Sequence, residues 1–168
     1  MSESNKEKWK RLFSKVPEDI REDVSQLIYF DYNTLVNNGV LKETAQFLST
    51  EGFPENSAPF LSFSISDDSK IESLLNGIDD STNYYPIGSN GSGDIIAVQK
   101  DNDNIVYFNH DDFHKKIFIN SNIRKFFDSL YLFQESKINK VESLSINDFI
   151  KIDSNCNSKN SMWPNEVY

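Results

Sequence analysis

The sequence predicts an α+β domain in which an antiparallel-rich meander of β-strands has helices packed on one side. Apolar residues recur at helical spacing towards both ends of the chain, and apolar and polar residues alternate in its middle. Two apolar runs there also flank a short polar turn, as in a β-hairpin. The length of 168 residues suits one domain, with thirteen Phe and seven Tyr to fill its core. We therefore predict a single domain over residues 1–168.

Three helices are predicted in the first third of the chain. Pro17 ends the first helix and suits the first position of the second, since that position needs no N–H donor. Gly52 suits the end of the third because it adopts left-handed backbone angles freely. The β-branched and aromatic residues of 27–32 also favour a short strand, which competes with the second helix. The three apolar stripes are Trp9, Leu12, Phe13 and Val16; Ile20, Val24, Leu27 and Ile28; and Leu41, Ala45 and Leu48.

The middle of the chain is predicted to form the strand meander. Residues 61–66 alternate strictly between apolar and small polar side chains, as in a strand with one buried face. Residues 71–75 suit one helical turn or a packed loop, and the glycine-rich run 88–94 predicts a turn. The apolar runs 95–99 and 105–109 predict a hairpin. A further short strand follows at residues 117–119.

The best helical stripe of the chain follows these strands. Asn120-Ser121-Asn122 predicts the helix N-cap, because short polar side chains satisfy the first free N–H groups. The stripe itself consists of Ile123, Phe126, Phe127, Leu130 and Tyr131. Weaker structure is expected over 141–150, and the polar residues 153–161 predict a loop, so that 153–168 resembles a loop-like tail.

The cellular compartment is predicted from the absence of targeting signals and from the cysteine count. The charged N-terminus has no apolar core of a secretory signal, and no apolar run approaches the roughly 20 residues that span a bilayer. Cys156 is the single cysteine, so no internal disulfide can form. We expect a cytoplasmic protein with a plain surface thiol, and no membrane interaction.

Charge is distributed unevenly along the chain. Residues 16–112 contain 18 acidic and four basic side chains, whereas the remaining residues are net basic, and the whole chain has a net charge of −9. An acidic surface repels phosphate backbones, which disfavours nucleic acid as a partner. It attracts a basic protein and speeds the encounter with it. The alternative explanation is that the acidity only keeps the protein in solution.

Few residues have the spacing of a catalytic or metal site. His110 and His114 are four residues apart and could ligate one zinc ion on a helix, with Asp111 as the base of a hydrolase. However, they follow a strand directly and lack an evident third ligand. The run from Asp101 imitates a calcium loop, but Val106 stands where glycine is needed. We therefore expect no catalytic residue, no metal and no cofactor.

The order of several short motifs resembles the SUKH superfamily, also called the Smi-like fold. Residues 41–48 (LKETAQFL), 51–54 (EGFP) and 60–63 (FLSF) resemble its N-terminal helix and first strand, with Phe53 where leucine is usual. Residues 87–96 and 104–107 resemble its Ile-Gly turn and the following strands. Residues 118–121 (FINS) and Phe126-Phe127 resemble the start of its last helix, and Trp163 a late aromatic residue. The resemblance covers about residues 35–135.

The resemblance implies a single α+β domain that acts as an immunity protein, which binds and neutralises a cognate bacterial toxin, frequently a nuclease. No shared catalytic residues come with this family. The alternatives are a regulatory scaffold that binds host proteins of cell-wall or signalling machinery and, more remotely, a zinc hydrolase at His110 and His114. We expect the toxin to bind to acidic loops. The candidate binding residues are Asp67, Asp68, Glu72, Asp79, Asp80, Asp101, Asp103, Asp111 and Asp112, with Tyr84 and Tyr85 as aromatic anchors.

Overall fold

A computed structural model describes residues 2–141 and 143–167 of the chain. Its α-helices are α1 (Asn5–Phe13), α2 (Glu18–Val24), α3 (Tyr32–Asn37), α4 (Lys42–Thr50), α5 (Asp68–Leu74), α6 (Ile123–Ile138), α7 (Ile146–Ile152) and α8 (Trp163–Glu166). Its strands are β1 (Leu27–Ile28), β2 (Phe53–Pro54), β3 (Asn56–Ser57), β4 (Leu61–Phe63), β5 (Tyr84–Asn90), β6 (Ile95–Gln99), β7 (Ile105–Asn109) and β8 (Lys115–Asn120). Short 3-10 helices occupy Ser81–Asn83, His110–Asp112 and Ser154–Asn157.

The chain has an α+β fold, as predicted. Strands β3 to β8 form a six-stranded sheet in which every strand pairs antiparallel with its neighbour in the sequence. Strands β1 and β2 form a separate small antiparallel sheet. The predicted hairpin of β6 and β7 is confirmed, and the short strand predicted within residues 27–32 is β1.

Both faces of the large sheet are buried, because strands β5 to β7 have apolar side chains on each side. Helices α1, α3, α4, α6 and α7 contribute to the main core on the first face, as the prediction of helices on one side requires. Helix α5 is the exception. Leu75 and Ile78, just beyond this helix, cover Ala97, Val106 and Phe108 on the second face.

The centre of the main core is aromatic. Phe127 of α6 is 1% exposed, and its ring centroid lies 5.7 Å from Trp9, 6.0 Å from Phe47 and 6.1 Å from Phe53. Tilted and edge-on ring pairs of this kind stabilise a core beyond the area that they bury. The predicted stripe of α6 therefore faces the core, and the Asn122 side chain caps this helix as expected.

Two glycines are required where the backbone approaches other atoms closely. Gly52 follows α4 with φ +78°, and a Cβ there would lie 2.8 Å from the Tyr29 ring. Gly88 lies at an irregularity between β5 and β6, where a Cβ would lie 2.3 Å from the Ser62 carbonyl oxygen. Gly52 thus ends α4 as predicted, whereas Gly88 belongs to strand β5 and not to the predicted turn.

Two other sequence predictions differ from the structure. The predicted strand 61–66 ends at Phe63, and the side chain of Ile65 is 54% exposed. The apolar stripe predicted for α2 is only partly buried: Val24, Leu27 and Ile28 pack against the main core, but no residue of α2 is fully buried. Ile20 is 47% exposed.

The loop-like tail predicted over 153–168 is not what residues 153–167 form, because they contain the 3-10 helix Ser154–Asn157 and helix α8. Trp163 is fully buried and stacks on Phe149 at a centroid distance of 4.3 Å. Its Nε1 donates a hydrogen bond of 3.0 Å to Asn120 Oδ1. The thiol of Cys156 is buried instead of exposed, and burial raises its pKa to about 12. Trp163 and Cys156 thus pack inward, and backbone hydrogen bonds between Phe118 and residues 160 and 162 join the tail to β8.

Asp153 holds the tail against the start of α6. Its buried carboxylate accepts hydrogen bonds from the Ser121 backbone N at 2.7 Å and from the Ser121 Oγ at 2.9 Å. The Lys125 ammonium lies 3.4 Å away. Burial alone raises the pKa of Asp153, but these hydrogen bonds and the lysine charge outweigh it, and the pKa is lowered.

Replacing Phe127 by alanine should reduce the free energy of unfolding by about 3–5 kcal/mol, because it leaves a cavity among packed rings. Denaturant titration measures this loss. The matched control is Phe113→Ala, which removes a ring that is 97% exposed and should change stability by less than about 0.5 kcal/mol. Equal losses in both variants would contradict the placement of α6.

Asp153→Asn should lower stability at pH 7 by about 1–3 kcal/mol, since the amide cannot accept all of these hydrogen bonds. A lowered pKa means that the carboxylate stabilises the fold above the ordinary value of 3.8 and loses this effect as the pH falls below it. The gap in unfolding free energy between the two proteins should therefore narrow from pH 5 to pH 2. A gap independent of pH would show that the charge of Asp153 is irrelevant to folding.

Candidate functional site

The connectivity of the sheet sorts its loops into two groups. Because consecutive strands run antiparallel, alternate connections lie at opposite ends of the sheet. The turn 100–104 and both ends of the connection 64–83 lie at one end, which we call the hairpin end. The turns 58–60, 91–94 and 110–114 lie at the other, which we call the opposite end.

Helices α3 and α4 also contact the hairpin end. The Lys100 ammonium donates to the carbonyl of Thr82 at 2.9 Å, which joins the β6–β7 turn to the 3-10 helix before β5. The Lys100 side chain also lies against Gly39, between α3 and α4. The Thr44 hydroxyl of α4 donates to the Asp103 carboxylate. Three parts of the chain that are far apart in the sequence, residues 39–44, 81–83 and 100–104, therefore meet on one surface.

Most of the predicted acidic residues lie on or beside this surface. Asp80 and Asp101 are exposed on its loops, and Asp79, which is also exposed, directly precedes Asp80. Asp68 begins α5, and its carboxylate accepts a hydrogen bond of 3.1 Å from the Asn38 amide at the end of α3. The remaining two acidic residues on α5 and its N-cap, Asp67 and Glu72, are also exposed. We call Asp67, Asp68, Asp79, Asp80 and Asp101 the hairpin-end carboxylates.

Two further carboxylates were missed by the sequence analysis. Asp31 caps α3. The pKa of Tyr85 is raised mainly by burial and further by the negative charges of Asp68 and Asp31, so both carboxylates lie near that ring. Glu43 in the first turn of α4 helps to raise the pKa of Asp103. Both residues lie on helices remote in sequence from the hairpin, and no local pattern places them there.

Asp111 and Asp112 lie at the opposite end, away from the other predicted residues. They belong to the 3-10 helix after β7, and the five residues of that strand separate the two ends by about 16 Å. Asp112 also pairs with Lys115 at 3.4 Å. The predicted acidic residues therefore form two separate groups.

Tyr84 and Tyr85 are not available as surface anchors. Tyr85 is 1% exposed and packs in the main core, whereas Tyr84 is 6% exposed and packs edge-on against Phe108 on the second face. Successive residues of a strand point to opposite faces, and both faces of β5 are covered. The prediction of aromatic anchors at these two positions is therefore wrong.

Asp103 is also less accessible than a solvated turn residue. It is half-buried with φ +66°, and burial raises the pKa of its carboxyl group. Its partner Thr44 is 1% exposed. Asp103 thus connects the hairpin to α4 and is a structural member of the surface.

The two histidines considered for zinc are separated by their local structure. The Nδ1 of His110 faces the buried Asp94 carboxylate, which also accepts a hydrogen bond from the Asn90 amide at 2.9 Å. His114 has φ +55° and lies against Gly77. Within residues 2–141 and 143–167, no group of three or more His, Cys, Asp or Glu side chains is arranged to hold a metal ion. The side chain of His110 therefore pairs with Asp94 and not with His114.

Comparisons with known proteins leave the family open. Neither the family models, the curated proteins nor the solved structures gave a match to this chain. The resemblance to the SUKH superfamily therefore stays a prediction. Among the described helices, none is both long and apolar enough to cross a bilayer.

Asp103→Asn should change the unfolding free energy by no more than about 1 kcal/mol at pH 7, because asparagine accepts the Thr44 hydrogen bond and tolerates a positive φ. It also removes a half-buried charge. Asp103→Lys should cost about 1–3 kcal/mol, because the buried Thr44 hydroxyl loses its acceptor. Thermal or denaturant unfolding distinguishes the two. Equal stability of the lysine variant would contradict a structural role for Asp103.

Proposed function

We propose that this chain is a cytoplasmic immunity protein that binds a basic toxin domain with its hairpin end. The observation that carries the proposal is the convergence of exposed carboxylates from α5, the loop after it and the β6–β7 turn on one surface. The SUKH resemblance supports the immunity role, since members of that superfamily often neutralise toxins. No part of the proposal requires the chain to be an enzyme.

Electrostatic complementarity explains how such a surface neutralises a nuclease. A nuclease needs positive charge in its active-site groove in order to hold phosphates. Fixed carboxylates on a folded surface occupy the same groove without losing further chain entropy on binding. The charges act mainly on the association rate, which they raise by long-range attraction.

Two of the cations of the hairpin end, Lys100 and Lys70, lie close to other groups of the protein, whereas Lys42 at the start of α4 is exposed. The Lys100 ammonium is directed to a backbone carbonyl, and partial burial lowers its pKa. Lys70 lies 3.7 Å from Asp67, its neighbour on the same helical turn. This arrangement leaves Asp79, Asp80 and Asp101 as the charges that a basic partner meets first.

The two groups of carboxylates offer a matched test with the toxin domain encoded beside the gene of this chain. Asp79→Lys with Asp101→Lys reverses two charges at the hairpin end, and Asp111→Lys with Asp112→Lys reverses two at the opposite end. The first pair should slow association about tenfold or more at low salt and weaken its salt dependence. It should also reduce protection of toxin-expressing cells. The second pair should have a much smaller effect.

Stopped-flow binding at two ionic strengths measures these rates, and the melting temperature of each variant shows that it is folded. Equal slowing by both pairs would mean that only net charge matters, and a larger effect of the second pair would place the toxin at the opposite end. A neighbouring gene that encodes no toxin would contradict the immunity role itself.

A further inference from the structure

A second surface lies away from the acidic one. An apolar groove of about 900 Å³ lies between α2, the β3–β4 turn and the C-terminal part of α6. Its apolar lining includes Val16, Ile20, Val24, Phe60, Phe133 and Ile138. Grooves that expose this much apolar surface mark interaction sites more often than plain surface does.

The apolar side of helix α2 lines this groove and stays partly exposed to solvent. None of its seven residues is fully buried: Val24 packs against the main core while partly exposed, and Ile20 is 47% exposed. A helix of this length is not stable in water by its own propensity and depends on packing of its apolar face. The exposed face of α2 is therefore only partly covered in the isolated chain.

Phe60 projects at the rim of the same groove. Its side chain is 87% exposed, and its backbone has φ +62°. A bulky residue in left-handed conformation costs free energy that asparagine or glycine would avoid. An exposed ring held at such a cost beside an apolar groove suits insertion into a binding partner.

The two sides of the groove have opposite charges. Asp19 and Asp23 are exposed on α2, each one position before an apolar groove residue, so they border its outer side. On the other side, Lys137 lines the groove with its ammonium over the Phe133 ring, and Lys140 follows the end of α6. Glu166 also lines the groove near Lys137, and burial raises the pKa of its carboxyl group, so the two lysines leave this side net basic. One face thus carries a projecting ring, an apolar groove, an acidic side and a basic side.

We propose that this face binds a second copy of the same chain across a two-fold axis. A two-fold contact requires one surface to be complementary to itself, which this combination provides. Phe60 of each copy enters the groove of its partner, and the acidic α2 side of each copy meets the basic α6 side of the other. The hairpin end lies outside this contact and stays free, so the dimer does not depend on the proposed function.

Sedimentation velocity between about 1 and 200 µM tests the proposal, with Phe60→Asn and Phe113→Asn as a matched pair. Both side chains are exposed and both backbones are left-handed, so asparagine is tolerated at either position. The wild type should form dimers, and Phe60→Asn should raise the dissociation constant at least about tenfold. Phe113→Asn, outside the groove, should leave it unchanged.

Charge exchange tests the two-fold arrangement directly. Asp19→Lys with Asp23→Lys makes both sides of the groove basic, and Lys137→Glu with Lys140→Glu makes both sides acidic. Each double variant should be monomeric alone, and an equimolar mixture should form heterodimers, because all contacts between the two are then of opposite charge. A wild type that stays monomeric throughout overturns the proposal and leaves the groove to a different protein. A mixture that stays monomeric overturns the two-fold arrangement.

Discussion

The up-and-down connectivity of the six-stranded sheet is the constraint on which the rest of the molecule depends. Each strand pairs only with its neighbours in sequence, so alternate loops are sent to opposite ends. This constraint brings the end of the loop after α5 beside the β6–β7 turn. It also places Asp101 and Asp111 at opposite ends of the sheet, although they are only ten positions apart in the sequence. It also places the turns around Phe60 and Phe113 away from the acidic surface. The topology therefore separates the acidic surface from the turns at the opposite end before any side chain is considered.

Local pattern was sufficient to predict much of this fold. The stripe of α6, the cap at Asn122 and the β6–β7 hairpin follow from periodicity and turn chemistry, which are properties of neighbouring residues. The C-terminal tail could not be predicted in this way, because its polar groups are satisfied over long range. Buried Asn120 donates to Ser129, Asp153 and Cys156 and accepts from Trp163, so that residues that read as a solvated loop become part of the core.

The candidate site shows the same limit. Acidic loop residues could be recognised individually, and most of those predicted do lie at the hairpin end. Tyr84 and Tyr85 could not be assigned, because aromatic residues beside a turn suit a surface or a two-sided sheet equally well, and here helix α5 closes the second face. Asp31 joins the acidic surface only because the fold brings the start of α3 near Tyr85, on which Asp68 also acts. The sign of the charge of a site can be predicted from composition, but which residues belong to the site depends on tertiary contacts.

The central claim is that a basic partner binds to the hairpin end of the sheet. Amide hydrogen exchange of the free chain and of its complex with the proposed toxin domain tests this claim most directly, because it reports on every loop in one measurement. The account predicts slower exchange in residues 81–83 and 100–104 of the complex, with the turns 91–94 and 110–114 unchanged. Slower exchange confined to those two turns, with none at residues 100–104, would contradict it.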